Sequence, residues 1–307
     1  MAKIFLNILP LFILMGLGVL ARRLGYLTKE TIPVLNRLTY YMAIPVMIFL
    51  EVSRSDFAKD FHLPTVTVAS ISIPIAAFFA YLMARMAGLK GAIRGSLIQC
   101  SIHGNLGYLG LAVSFYVMGS DGLIKASIFA GFLIIVQNVI SVVSLSYFSG
   151  KREGERRFGR LFKEVGLNPI IIAALSGIVF SLLKIPMPAF LKESMQLLGK
   201  MALPLALLVI GASLTLNLFG EHLTQGLLVV CIKLMVLPFL GYVLLKWVSA
   251  SSHDLLASII LLSSPTATVT YVMAWEMGGD PKFTAASISS CTALSIISYS
   301  FWVWSVI

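Results

Sequence analysis

The chain is 307 residues long, 58% hydrophobic and only 12% charged, with a mean hydropathy of +0.94. A water-soluble domain needs about twice that share of charge to cover its surface, so the composition excludes one and points to an integral membrane protein. The net charge of +10 sits mainly in short loops between apolar runs, the ordinary basic bias of membrane proteins rather than a nucleic-acid patch.

The apolar runs are continuous rather than alternating, so in a hydrocarbon core of ~30 Å the backbone is satisfied by helices of ~20 residues. Ten spans are expected, over residues 4–20, 32–50, 64–84, 95–118, 124–148, 168–184, 200–216, 225–248, 255–276 and 283–305. The first reads as a span and not a signal peptide, having no basic leader beyond Lys3 and no small-residue cleavage motif. The fourth carries SIHGNLGYLG, residues 101–110, and the fifth carries Gln137 and Asn138 in IVQNVIS. After the fifth comes a basic loop, residues 150–167, which separates a first five-helix unit, 1–149, from a second, 168–307. The sixth span stops before Pro186 and Pro188 in KIPMP. The eighth holds Lys233, and the ninth holds LLSSPTATVT around Pro265. Cys100, Cys231 and Cys291 all lie inside apolar runs and read as small core residues rather than a disulfide framework.

Orientation follows from the loops. With the N-terminus outside, inner loops hold 13 Lys and Arg and outer segments 8, so both termini are expected outside and the 150–166 loop in the cytoplasm of an inner (plasma) membrane protein.

An internal repeat has a constant offset. MAIPVMIFLEVS from Met42 matches MALPLALLVIGAS from Met201, and MGSDGLIKASI from Met118 matches MGGDPKFTAASI from Met277, both 159 residues apart. Each unit has an odd number of spans, so the second enters the membrane the opposite way round. Inverted repeats are an architecture of secondary transporters, with the site where discontinuous helices of the two units meet. The same offset places Asn105 on Ser264. The fourth span, interrupted by Gly104, Gly107 and Gly110, thereby pairs with the ninth, interrupted by Pro265 among Ser263, Ser264, Thr266, Thr268 and Thr270.

Proline removes a backbone donor and glycine lets a helix unwind, so each break frees main-chain groups at membrane depth. Such groups must face protein or a water-filled cavity. The half-helices that start after the breaks aim their positive ends inward, which suits a carboxylate. The candidate anion site comprises Gly104, Asn105, Gly107, Tyr108, Gln137, Asn138, Ser264, Pro265, Thr266 and Lys233. Gln137 and Asn138 either line the pocket or act as interhelical glue. Lys233 either offsets charge at the breaks or snorkels to the interface. His103 is a candidate proton carrier, with neutral hydrogen bonding as the alternative. No Asp or Glu lies deep in a span, which argues against a carboxylate relay. No metal, cofactor or enzymatic activity is expected.

Taken together, YYMAIPVMIF with Pro45, GNLGYLGLAV from Gly104, NPIIIAALSGIVF from Asn168, LPLALLVIGASL from Leu203, KLMVLP from Lys233 and SSPTATVTYVMAWEMGGD from Ser263 resemble the auxin efflux carrier family. That family joins plant PIN-type auxin carriers with bacterial malonate and malate permeases. The resemblance implies an all-α membrane protein of ten transmembrane helices in two inverted five-helix repeats, with helices 4 and 9 broken and crossing at the site. It implies a scaffold of spans 1, 2, 6 and 7 and an elevator-like transport domain of spans 3 to 5 and 8 to 10. By position, Asn105 matches the asparagine of the plant first crossover, Pro265 the proline of the second, and Gln137 a polar pocket-side residue. Gly104 stands where the plant pattern has proline, which implies a looser first break, and the third span lacks the plant charged pair. The function implied is secondary transport of a small organic anion, a mono- or dicarboxylate, with the lipid bilayer and a homodimer as partners. The alternatives are a non-transporting sensor or scaffold and a cation-coupled exchanger.

Overall fold

The computed structural model describes residues 2–55, 61–149, 166–214 and 223–307; most of the basic loop expected over 150–167 lies outside the described residues. Those residues are helical and form no strands, only one isolated bridge. In chain order the helices are α1 (Ala2–Arg23), α2 (Thr31–Arg54), α3 (Leu63–Met86), α4 (Gly91–Ile102), α5 (Leu106–Phe148), α6 (Pro169–Leu183), α7 (Ala189–Ser213), α8 (Leu223–Trp247), α9 (Ser252–Leu262), α10 (Val269–Met277) and α11 (Pro281–Val306).

Seven of these, α1, α2, α3, α5, α7, α8 and α11, are long and apolar enough to cross a membrane, and α6 and α9 are shorter apolar helices. Large apolar side chains such as Leu6, Phe78, Leu182 and Phe239 stand exposed on their flanks. Tyr26, Tyr147, Trp247 and Trp275 are exposed at or near helix ends, where amphipathic rings favour the membrane–water interface.

Length alone shows that α5 is not one straight crossing. Its 43 residues would extend about 65 Å at ~1.5 Å per residue, twice the ~30 Å core. Gly119, at φ 70° and ψ −156°, breaks it into two legs in a conformation open essentially to glycine. At Gly278, 159 residues on, φ is 77°, and this left-handed cap ends α10 before Pro281 starts α11. Other boundaries recur at the same spacing: α2 and α7 end at Arg54 and Ser213, and α4 and α9 end at Ile102 and Leu262, within a residue of that offset.

Packing divides the helices into two groups. α1 lies along α7, and α2 packs on α6 and α7. α3 packs on α4 and α8, α4 on α5, and α9 on α5, α8 and α11. The first group depends on close backbone approach: a Cβ at Gly211 would strike the Met15 carbonyl, and one at Gly18 the Leu208 carbonyl. At the end of this pair the Arg22 guanidinium donates to the Ala212 and Leu214 carbonyls (2.9 and 3.1 Å), satisfying the C-terminal end of α7 with a cation.

The seventh span starts earlier than its sequence suggests, at Ala189 rather than 200, because a polar-faced first segment, AFLKESMQLLGK, is helical too. Cys231 is exposed on the flank of α8, so of the three cysteines only Cys100 and Cys291 are core residues. An apolar run fixes the span but not which side of the helix meets lipid.

Gly211→Val is expected to lower thermal stability by about 1–3 kcal/mol through overpacking. Gly16→Ala, one turn along α1 with nothing within 4 Å, is expected to be neutral or slightly stabilising. Melting of the two variants in the same detergent checks the contrast.

Candidate functional site

Two apolar helices stop short. α4 has 12 residues and α9 has 11, rises of about 18 and 17 Å, so neither is long enough by itself to cross a ~30 Å core. After α4, His103 and Asn105 are non-helical (φ −83°, ψ 93° and φ −80°, ψ 65°), and the chain resumes through a π-helical turn, Leu106–Gly110. After α9, residues 263–268 run without regular helix before α10 begins at Val269.

The two interruptions bind each other through main chain. The Asn105 N–H donates to the Pro265 carbonyl at 2.8 Å, and the Ala267 N–H donates to the His103 carbonyl at 3.0 Å. Gly104 and Thr266 face each other in an antiparallel bridge. Groups that neither helix can satisfy alone are thus satisfied by the other, as buried backbone requires.

Side chains complete the pairing. The Gln137 amide clamps Gly104, its Oε1 accepting from the Gly104 N–H (3.0 Å) and its Nε2 donating to the Gly104 carbonyl (3.2 Å). The Thr266 hydroxyl donates to the Cys100 carbonyl at 2.8 Å. Ser264 Oγ donates to the Ile260 carbonyl (3.2 Å) and accepts from the Tyr299 hydroxyl (2.9 Å). His103 Nδ1 and Ser141 Oγ share a hydrogen bond of 2.9 Å, tying the first break to the second leg of α5.

Lys233 does not snorkel. Its side chain is 1% exposed, and Nζ donates to the Leu262 carbonyl at 2.9 Å, the last residue of α9. A Cβ at Gly104 would lie 3.0 Å from that Nζ, so the ammonium sits against both breaks.

Of the ten residues singled out in the sequence, Gly104, Gln137, Ser264, Pro265, Thr266 and Lys233 are joined in this one bonded cluster. Asn105 joins it through its backbone only. Its side-chain amide, like that of Asn138, bonds no other described residue, and both residues are 8% exposed. Tyr108 points elsewhere: its hydroxyl donates to Asn36 Oδ1 on α2 at 2.7 Å. Gly107 meets α6, where a Cβ would strike Ile170. Tyr108 and Gly107 therefore form contacts between the two helix groups.

Residues 101–110 and 261–267 are all buried, so the crossing is packed shut. An open recess lined by Arg54 and Lys192 lies at the ends of α2 and α7 instead. Tyr299, Ser141 and Asn36 escaped the sequence reading because a lone hydroxyl or amide in an apolar run gives no periodic signal. Gln99, near the start of the fourth span, was not singled out either, and both its side-chain polar atoms are buried without a partner among the described residues.

Comparison with known chains follows from this geometry. A family model described as membrane transport protein matches residues 3–157 and 159–303. An "Uncharacterized transporter" of Methanocaldococcus jannaschii is 26% identical over 305 residues, 97% of each chain. A second of that description, from Methanothermobacter thermautotrophicus, is 26% identical over 297 residues, 96% of each. A protein of Rhizobium meliloti named "Putative malonate transporter" is 24% identical over 302 residues, 96% of this chain and 93% of that one.

Gln137→Leu leaves both Gly104 backbone groups buried and unpaired and is expected to cost about 2–6 kcal/mol, at about 1–3 kcal/mol for each group. Thr266→Val leaves one buried group, the Cys100 carbonyl, unpaired and is expected to cost about 1–3 kcal/mol. Ranking the two by thermal unfolding checks that the amide clamp carries more than the hydroxyl.

Proposed function

The chain belongs to the membrane transport protein family, that of the auxin efflux carriers, and from that premise we propose that it is a secondary transporter of a small organic anion. The observation that carries this reading is the buried crossing, where two broken helices share main-chain bonds beside an ammonium with no carboxylate partner among the described residues. Positive helix ends and Lys233 supply the field for a carboxylate. The unbonded amides of Asn105 and Asn138 supply donors to orient it.

The substrate class proposed is mono- and dicarboxylates, and the relative named for malonate supports including that dianion. Boundaries that recur 159 residues apart support ten crossings in two inverted five-helix repeats, units 1–149 and 168–307, with the two legs of α5 as separate crossings. The packing groups support an elevator division in which α1, α2, α6 and α7 hold still while the remaining helices carry the crossing past them. The Tyr108 to Asn36 bond and the Gly107 to Ile170 contact lie on the surface that would slide. The basic loop is proposed to face the cytoplasm, with both termini outside.

His103 is assigned a holding role, since its ring bonds a hydroxyl and faces no carboxylate among the described residues. Transport rate is therefore expected to stay flat over about pH 5–8, where an ordinary histidine changes charge. A rate that follows such a titration would instead make His103 the proton carrier.

Thermal-shift screening of purified protein against acetate, lactate, malate, malonate and succinate tests the substrate class, because a ligand bound only to the folded state raises its stability. At least one carboxylate is expected to raise Tm and to enter proteoliposomes as radiolabelled solute. Asn105→Ala and Asn138→Ala are each expected to weaken that binding roughly tenfold, the worth of about one good hydrogen bond. A folded protein that binds and moves none of these acids overturns the proposal.

A further inference from the structure

Three helix ends of one packing group meet around a recess of about 180 Å³, lined by Ser53, Arg54, Phe180, Ile185, Met187 and Lys192. α2 ends at Arg54, α6 ends at Leu183 and α7 starts at Ala189, and α2 and α7 are long enough to cross a membrane. The level at which such helices end is the headgroup layer. Pockets that hold a whole small ligand run to ~300–1,000 Å³, so this volume suits a single charged group.

The charge of the recess has one sign. Arg54 and Lys192 are the ionisable groups among its lining residues, both are exposed, and neither forms an ion pair among the described residues. The Gln196 amide oxygen accepts from the Arg54 guanidinium, a neutral partner that orients the fork without cancelling its charge. Glu51 and Glu193, the described carboxylates nearest in sequence, are not among the lining residues. The first turn of α7 has no side-chain cap and adds the positive end of a helix dipole. Under the topology proposed above the recess opens on the side of the termini, so the inward bias of basic loops does not account for its cations.

Around these cations the surface is apolar. Leu182, Leu183 and Phe190 stand 58%, 67% and 74% exposed on the same helix ends. A free anion would use the two cations and leave that rim bare, whereas an amphiphile uses both. We propose that the recess binds the phosphate of an anionic phospholipid, with Arg54 and Lys192 on the headgroup and the acyl chains along the apolar rim, and that this lipid braces the ends of α2, α6 and α7. The recognition is that of basic pockets between membrane helices, and it does not depend on which solute the protein carries.

Thermal unfolding of the full chain in a neutral detergent tests this, with dioleoylphosphatidylglycerol, dioleoylphosphatidylcholine or glycerol 3-phosphate added. Phosphatidylglycerol at about ten times its dissociation constant is expected to raise the wild-type Tm by roughly 2–4 °C, and the other two to leave it unchanged. In the double variant Arg54→Gln, Lys192→Gln that rise is expected to vanish, while Lys246→Gln, at an exposed lysine on the end of α8, keeps it. Native mass spectrometry is expected to find one phosphatidylglycerol retained by wild type and none by the double variant.

An equal rise with phosphatidylcholine, or an undiminished rise in the double variant, would overturn the proposal. Protection by glycerol 3-phosphate would make the recess a soluble-phosphate site and overturn the lipid assignment. A rise that accompanies conversion of monomer to dimer, with no lipid retained, would give the rim to a second copy and overturn it too. If the double variant does not fold, Lys192→Gln alone decides: it is expected to weaken the lipid roughly fivefold, the worth of one cation near a headgroup, and an unchanged affinity would count against the proposal just as firmly.

Discussion

Polar main chain at the centre of a bilayer must be bonded, and the rest of this molecule is arranged around that demand. Hydrocarbon offers a freed N–H or carbonyl nothing, and each one left bare costs several kcal/mol. α4 and α9 both end in buried chain, so every group between them and their continuations needs a partner. Asn105 with Pro265 and Ala267 with His103 answer part of the demand, each break serving as the other's missing turn. The remainder falls to Gln137, Thr266 and Lys233, and these take the Gly104, Cys100 and Leu262 carbonyls. Buried hydrogen-bonding side chains in this layer are consequences of the broken backbone.

The two breaks resemble one another in backbone and differ in the side chains that finish them. Glycine opens the first and proline the second. An amide from α5 clamps the first, whereas a lysine from α8 and a tyrosine from α11 support the second. The residue 159 positions before Lys233 is Pro74, within α3, so the charge is introduced on one side only. The two breaks fall at matching spacing, yet different neighbouring helices satisfy them, and that difference makes the crossing chemically polar.

The apolar, helical character of the chain was legible because a membrane helix is hydrophobic all round and long, a signal that survives in a single sequence, and seven of the described helices are long and apolar enough to cross. The breaks were legible because glycine, proline and polar residues have no other common reason to cluster at that depth, and the offset of 159 matched them. Contacts between helices left less trace. Lys233 reads as a residue near a helix end that could reach water, and only its π-helical turn aims it inward. Tyr108, one residue from Gly107 in the same motif as Asn105, was grouped with the site by proximity in sequence, yet the wide π-turn carries its ring toward α2. A side chain's direction at an irregular turn depends on dihedrals that composition does not encode. For the same reason Cys231 faces out although it lies in an apolar run.

The closed packing of the crossing also bears on how a solute could enter. Gly104 and Gly110 approach Lys233 and Ser264 so closely that a methyl group would already crowd them, so there is no slack within the layer for a guest. Entry by separating the breaks would strip the main-chain pairs that make the crossing tolerable in hydrocarbon. Entry beside them, where the Asn105 and Asn138 amides bond no other described residue, keeps those pairs intact. The two helix groups meet there through the Tyr108 to Asn36 bond and Gly107 against Ile170, and elsewhere through contacts of α1 and α2 with α5 and of α1 with α11, none of which is part of the backbone bridge.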